Sequence, residues 1–231
     1  MIKIIPIQTG LLGVNSLVVP LVQNKVLVVD PAACKISSDS GKIVDYLKKE
    51  NLECIGIVLT HGHFDHITGI AEVKNAFPDA KIAIHSKDAG ELSNPPGVCN
   101  QSCIDNFGLY EIVSFLQTLP TFDVLLENND TLLKLQSNSI KEDNSLSKVL
   151  SEWKVISTPG HTPGSICLYN KEEKILISGD TVFEGSYGRT DLAGGSEVQM
   201  RKSLSFLREN IPCDVSVFPG HGAFGFNIDL V

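Results

Sequence analysis

The chain has 231 residues, 42% hydrophobic and 20% charged, with a net charge of −8. That is enough apolar material for a packed core and too balanced a composition for wholesale disorder. The acidic charge, with no basic run longer than Lys48-Lys49, argues against nucleic acid as a partner, because phosphate binding needs a basic stripe. No apolar stretch approaches the ~18 residues of a membrane span. Pro6 and Gln8 interrupt the apolar N-terminus, which reads as strands rather than a signal peptide. A cytoplasmic location without a membrane partner is the expectation.

Short β-branched runs predict strands at 2–7, 14–19, 26–29, 55–59 and 82–84, and again at 132–135, 153–157, 166–169, 175–178 and 215–218. Helical spacing relates Ile43, Val44 and Leu47, then Ile70, Val73 and Phe77, then Ile112, Phe115, Leu116 and Leu119. Ser196-x-x-Gln199 spells a capping box that opens a helix carrying Met200, Leu204 and Leu207. Residues 93–105 and 136–152 are polar or rich in Asn, Pro and Gly, and are expected to form surface loops or short lids. The mixture suggests sheets covered by helices in one domain over residues 1–231. Cys34, Cys54, Cys99, Cys103, Cys167 and Cys213 are scattered and read mostly as buried thiols. The lone Cys99/Cys103 pair falls short of the four ligands of a structural zinc.

Five of the six histidines sit in Gly-flanked motifs: residues 61–66 (His-Gly-His-Phe-Asp-His), Pro159-Gly160-His161 and Pro219-Gly220-His221-Gly222. Gly179-Asp180-Thr181 completes the set. Three imidazoles and a carboxylate within six residues cannot share one face of a helix or strand. They call for a tight loop, which Gly62 permits, around something electron-poor. Neutral imidazole with carboxylate suits a divalent metal such as zinc. Each motif follows a short predicted strand, so four strand ends converging on one rim would bring them together. Thr60, Thr158, Thr162 and Ser165 flank these motifs and either fix imidazole tautomers or cap turns. Asp30, in an Asp-Pro turn, is read as structural. His85 has no partner motif and is assigned to capping or packing.

The order and gaps of these motifs resemble the metallo-β-lactamase superfamily. The likeness runs from Val28-Val29-Asp30-Pro31 to Pro219-Gly220-His221-Gly222. It implies an αββα sandwich of two mixed sheets flanked by helices, with metals at one edge. It also implies that His61, His63 and His161 bind a first metal, that Asp65, His66 and His221 bind a second, and that Asp180 bridges both. Zinc is the expected occupant, with iron or manganese also fitting such donors.

The stretch 181–196 (Thr-Val-Phe-Glu-Gly-Ser-Tyr-Gly-Arg-Thr-Asp-Leu-Ala-Gly-Gly-Ser) and residues 158–165 resemble short members of the glyoxalase II branch, hydroxyacylglutathione hydrolases. The resemblance implies a thiolester hydrolase, acting on substrates such as S-lactoylglutathione, in which a metal-bridging hydroxide attacks the carbonyl. His63, Asp65 and Asp180 would be its catalytic side chains. A thiolate leaving group, with parent pKa of about 8.5, needs no strong general acid. Long glyoxalase II forms carry a further C-terminal helical domain, not expected here because the chain ends at Val231. They also place a Lys, and a Tyr two residues on, against glutathione; here those positions read Arg189 and Asp191. Arg189 and Tyr187 are the expected substrate contacts, although Arg189 could pair with Asp191 instead. The alternative is a persulfide dioxygenase. That group shares the fold and a Gly-Arg-Thr-Asp stretch like 188–191, and would hold one iron on His61, His161 and Asp180.

Overall fold

The strands divide by burial into two sheets that hide their inner faces from water together. The computed structural model describes residues 2–93, 97–136 and 144–228. The N-terminal sheet holds β1 (Ile5–Thr9), β2 (Val14–Pro20), β3 (Lys25–Val29), β4 (Glu53–Val58), β5 (Lys81–His85) and β6 (Val124–Leu126), side by side in sequence order. β1, β2 and β3 pair antiparallel, whereas β3 to β6 pair parallel. Parallel neighbours need crossovers, and helices supply them. α1 (Lys42–Lys49) joins β3 to β4, α2 (Phe64–Ile67) and α3 (Ile70–Ala76) join β4 to β5, and α4 (Val98–Phe107) and α5 (Glu111–Leu116) lead to β6.

α6 (Asn144–Glu152) precedes the C-terminal sheet of β7 (Trp153–Ser157), β8 (Ile166–Asn170), β9 (Ile175–Gly179), β10 (Ser216–Pro219) and β11 (Phe226–Asn227). Its strand order is β11-β10-β9-β8-β7. The one parallel pairing there, β9 with β10, is bridged by α7 (Glu197–Asn210).

Side-chain alternation makes the layers. Val26 and Val28 of β3 pack outward with Ile43 and Leu47 of α1, while Leu27 and Val29 face the C-terminal sheet with Leu168 and Ile177. A third cluster sets Leu207 of α7 against Leu176 and Val217 on the far side of that sheet. The result is the expected αββα sandwich. No helix among the described residues is long and apolar enough to cross a membrane.

Three local expectations need correction. Residues 132–135 form a 3₁₀ turn, not a strand, because Leu132 and Leu135 are buried three apart while Leu133 is exposed. Within 93–105, α4 replaces most of the expected loop; Cys99, Cys103 and Ile104 are buried along it, and residues 94–96 lie outside those described. Within 136–152, α6 buries Leu146 and Leu150 one turn apart, and 137–143 lie outside the described residues. The short edge strands β6 and β11 left no readable pattern, and all six cysteines are free thiols, with Cys213 exposed.

Leu168 is fully buried between the sheets. Leu168→Ala removes transfer energy and leaves a cavity, at a cost of about 2–5 kcal/mol. A urea titration should show the midpoint fall with little change in slope.

Candidate metal centre

Four strand ends do converge. β4 runs through Leu59 and Thr60 into His61, β7 ends just before the turn that carries His161, β9 ends at Gly179 beside Asp180, and β10 ends at Pro219 before His221. The backbone joins the sheets here, with Ile166 N–H donating to Thr60 O (2.9 Å). The stretch 61–66 is a loop only in its first half. Phe64–Ile67 forms one helical turn that projects Asp65 and His66. Gly62 is required for space: an added Cβ would lie 2.7 Å from the Glu91 side chain.

Donor atoms gather in groups within 4.8 Å of one another: His61, His63 and His161; Asp65, His66 and His221; and Asp30, His61 and His66. Asp180 faces both of the first two. Its Oδ1 is 3.4 Å from His66 Nε2, and its Oδ2 is 3.5 Å from His161 Nε2 and 3.6 Å from His221 Nε2. Asp65 Oδ2 is 3.3 Å from His221 Nε2.

The surrounding hydrogen bonds orient these rings. Thr60 donates to Asp30 through its N–H (2.8 Å, to Oδ1) and its hydroxyl (2.6 Å, to Oδ2). That leaves the hydroxyl oxygen, 3.1 Å away, to accept from His61 Nδ1. His66 Nδ1 donates to Asp30 Oδ2 (2.9 Å), and His161 Nδ1 donates to the Arg189 carbonyl (2.8 Å). With Nδ1 engaged outward on each ring, Nε2 is turned into the cluster, where His161 Nε2 lies 2.8 Å from His63 Nδ1 and His66 Nε2 lies 3.2 Å from His221 Nε2. Asp30 is therefore no mere turn residue. It is buried, adopts a positive φ of 49° and acts as the common acceptor for this network.

Electrostatics divide the cluster. Burial, reinforced by the neighbouring imidazoles, holds His61 and His63 well below the ordinary histidine pKa, so both are neutral donors. Burial also opposes charge on His66, but Asp180, Asp65 and Asp30 outweigh it and raise the ring to about 10. His221 is likewise raised, by Asp65 and Asp180 against burial. Burial would raise the Asp65 carboxyl, yet His66 and His221 keep it well below the usual range.

Several positioning residues gave no sequence signal. Asp88, wholly buried after β5, accepts from Gly62 N–H (2.9 Å), Thr162 Oγ1 (2.6 Å) and Gly164 N–H (2.6 Å), tying the His61 loop to the His161 turn. Asn100 donates to Gly62 O (2.8 Å), while Glu91 accepts from the Cys99 and Asn100 N–H groups at the start of α4. Asn15 donates to Pro219 O and Gly222 O, pinning the His221 turn. Of the flanking hydroxyls, Thr162 Oγ1 also meets Ser165 Oγ and Thr158 Oγ1 meets Thr181 Oγ1, so these brace turns rather than imidazoles. His85 belongs to none of the donor groups; its Nδ1 accepts from Lys87 N–H and its Nε2 meets Ser157 Oγ.

A cavity of about 310 Å³ opens against the cluster, with His63, Asp65, His161, Asp180 and His221 in its wall. Arg189 reaches the cavity, but its Nε and Nη2 each donate to Asp191 at 2.7 Å. Tyr187 is not among the lining residues; its hydroxyl lies on Glu197.

The family profile described as the metallo-beta-lactamase superfamily matches residues 9–221. The chain belongs to the metallo-β-lactamase superfamily. Among curated superfamily relatives, a probable metallo-hydrolase of Bacillus subtilis, YqgX, is 28% identical over 88% of this chain and 86% of its own length. The hydroxyacylglutathione hydrolase GloC of Haemophilus influenzae is 24% identical over 85% and 80%. The solved structure of BLEG-1, a B3 metallo-β-lactamase, superposes with a TM-score of 0.77 at 28% identity, covering 99% of this chain and 95% of that one.

The residues fit the divalent metals that the superfamily and this donor set imply. His61 Nε2 and Asp180 Oδ1 are buried without any hydrogen-bond partner. Orphaned buried acceptors carry a desolvation penalty, which a coordinated cation relieves.

Asp30→Asn preserves shape but turns an acceptor oxygen into an N–H₂ that faces donors. Metal affinity should fall about 10- to 100-fold, measured by chelator competition, with the far-ultraviolet circular dichroism unchanged. Gly220→Ala would drive a Cβ into the Asp180 carboxylate and to 2.6 Å from the His66 ring. Elemental analysis should then find fewer metal ions per chain than in the unaltered protein.

Proposed function

We propose that the chain is a binuclear metal-dependent hydrolase of thioesters, of the glyoxalase II type. The observation that carries this reading is the placement of Asp180, whose carboxylate lies within 3.6 Å of His161 from one donor group and of both His66 and His221 from the other. A carboxylate so placed suits a ligand shared by two ions. His61, His63 and His161 would hold the first and Asp65, His66 and His221 the second. Bound there, two divalent ions would lower the pKa of a water from about 15.7 to about 7 and polarise a substrate carbonyl.

The chain's own groups position the water. Asp65 is kept ionised by His66 and His221, so it offers an anionic ligand and a hydrogen-bond acceptor that would orient a water without taking its proton. His61 and His63 stay neutral, as ligands must. A thiolate leaves without a strong acid, whereas an amine would need one. The hydroxyacylglutathione hydrolase among the relatives supports the same chemistry. The six free thiols fit a reducing compartment, so the activity is proposed for the cytoplasm.

Purification without added metal, elemental analysis and a thioester assay on the same sample test the reading. About two metal ions per chain, most simply zinc, should accompany cleavage of S-lactoylglutathione or simpler acyl thioesters. His63→Ala and His66→Ala should each lose metal and reduce turnover by at least about 100-fold. One iron per chain, oxygen uptake on glutathione persulfide and no thioester cleavage would move the protein to the dioxygenases.

A further inference from the structure

Away from the cluster of imidazoles and carboxylates, the walls of the cavity are mostly apolar. Leu12 comes from the turn between β1 and β2, Phe107 from the last residue of α4, and Phe183 and Leu192 from the segment between β9 and α7. Leu12 and Phe107 are about half exposed, at 53% and 47%, so the mouth as well as the interior is apolar. Cys103 completes the wall as a buried thiol. Burial, with Asp65 and Glu91 nearby, pushes it up to about 12, so it stays protonated and behaves as a small apolar surface.

Among the described lining residues, Arg189 is the one permanently charged cation. Its guanidinium already grips a carboxylate of the chain itself. Its Nε and Nη2 form a bidentate pair with Asp191, and its guanidinium lies 5.5 Å from the Phe107 ring centroid. A fork–fork pair stacked on an aromatic ring is held in place by both contacts. It presents the rim with a neutral ion pair. The cavity, about 310 Å³, is also at the small end of ligand pockets, which span roughly 300–1,000 Å³. It accommodates an acyl group and the reacting sulfur, while the bulk of a tripeptide carrier would lie outside against that neutral rim.

We infer that this site reads the acyl group of its substrate, a short apolar chain enclosed by Leu12, Phe107, Phe183 and Leu192, and not the carboxylates of the thiol carrier. This rests on the thioester-hydrolase reading. A lactoyl hydroxyl finds no dedicated partner among the apolar walls, whereas each methylene removed from water there contributes to binding.

The test crosses acyl group with carrier in the metal-loaded enzyme. Acetyl, lactoyl and butanoyl thioesters of glutathione and of uncharged N-acetylcysteamine are compared by kcat/KM, each normalised to its hydroxide-catalysed rate. Butanoyl should exceed acetyl by about tenfold or more on both carriers, since each buried methylene is worth about fourfold. For a given acyl group the two carriers should agree within about threefold. Phe107→Ala should lower kcat/KM for butanoyl by about fivefold or more beyond any loss on acetyl.

A tenfold preference for glutathione thioesters over their N-acetylcysteamine counterparts would overturn the inference while leaving the hydrolase intact. So would equal losses on acetyl and butanoyl in Phe107→Ala. Failure of the metal-loaded enzyme to cleave any of the six thioesters would instead remove the thioester reading and this inference with it.

Discussion

Buried imidazoles can converge on one point only if their protons point elsewhere, and the rest of the site follows from that constraint. At its centre is Asp30, accepting hydrogen bonds from the Thr60 hydroxyl and from His66 while the Thr60 oxygen accepts from His61. The Arg189 carbonyl does the same for His161. With Nδ1 committed outward on three rings, three Nε2 atoms must face inward. Asp30 is itself fixed from behind: its carbonyl accepts from Ser16 Oγ of β2. The strained φ of Asp30 is sustained because so many contacts determine it.

The ligand-type residues were legible because chemistry demands several of them close together, and five histidines in Gly-flanked turns are hard to explain otherwise. The layers were legible for a similar reason, since period-two alternation in β3 and helical spacing in α1 reflect burial directly. Asp88, Asn15 and Glu91 were not legible. Each is a single polar residue whose partners lie far along the chain; Asn15 meets Pro219 and Gly222 across more than 200 positions. A lone carboxylate in a sequence does not announce that it will be buried against two backbone N–H groups and a hydroxyl. α4 was hidden by composition: Val, Cys, Asn, Ser and Asp have modest helix propensity, and its start is completed by the remote Glu91 carboxylate.

The segment between β9 and α7 shows how one stretch can serve structure and specificity together. Its backbone orients His161 through Arg189, and its side chains supply two walls of the cavity. Pairing Arg189 with Asp191 removes a charge that related pockets could use for recognition, and the apolar neighbours remain as the distinguishing surface. Selectivity at such a site comes from shape and transfer free energy, and is graded rather than absolute.

The donor set is also divided between layers. His61, His63, Asp65 and His66 follow β4 of one sheet, whereas His161, Asp180 and His221 follow strands of the other. A cation bound across this seam acts as a clasp between two halves of the sandwich. Folded chains alone assemble both halves of the clasp, so bound ions draw the equilibrium toward the native state by mass action. Metal supply would then set how long the protein survives as well as whether it works.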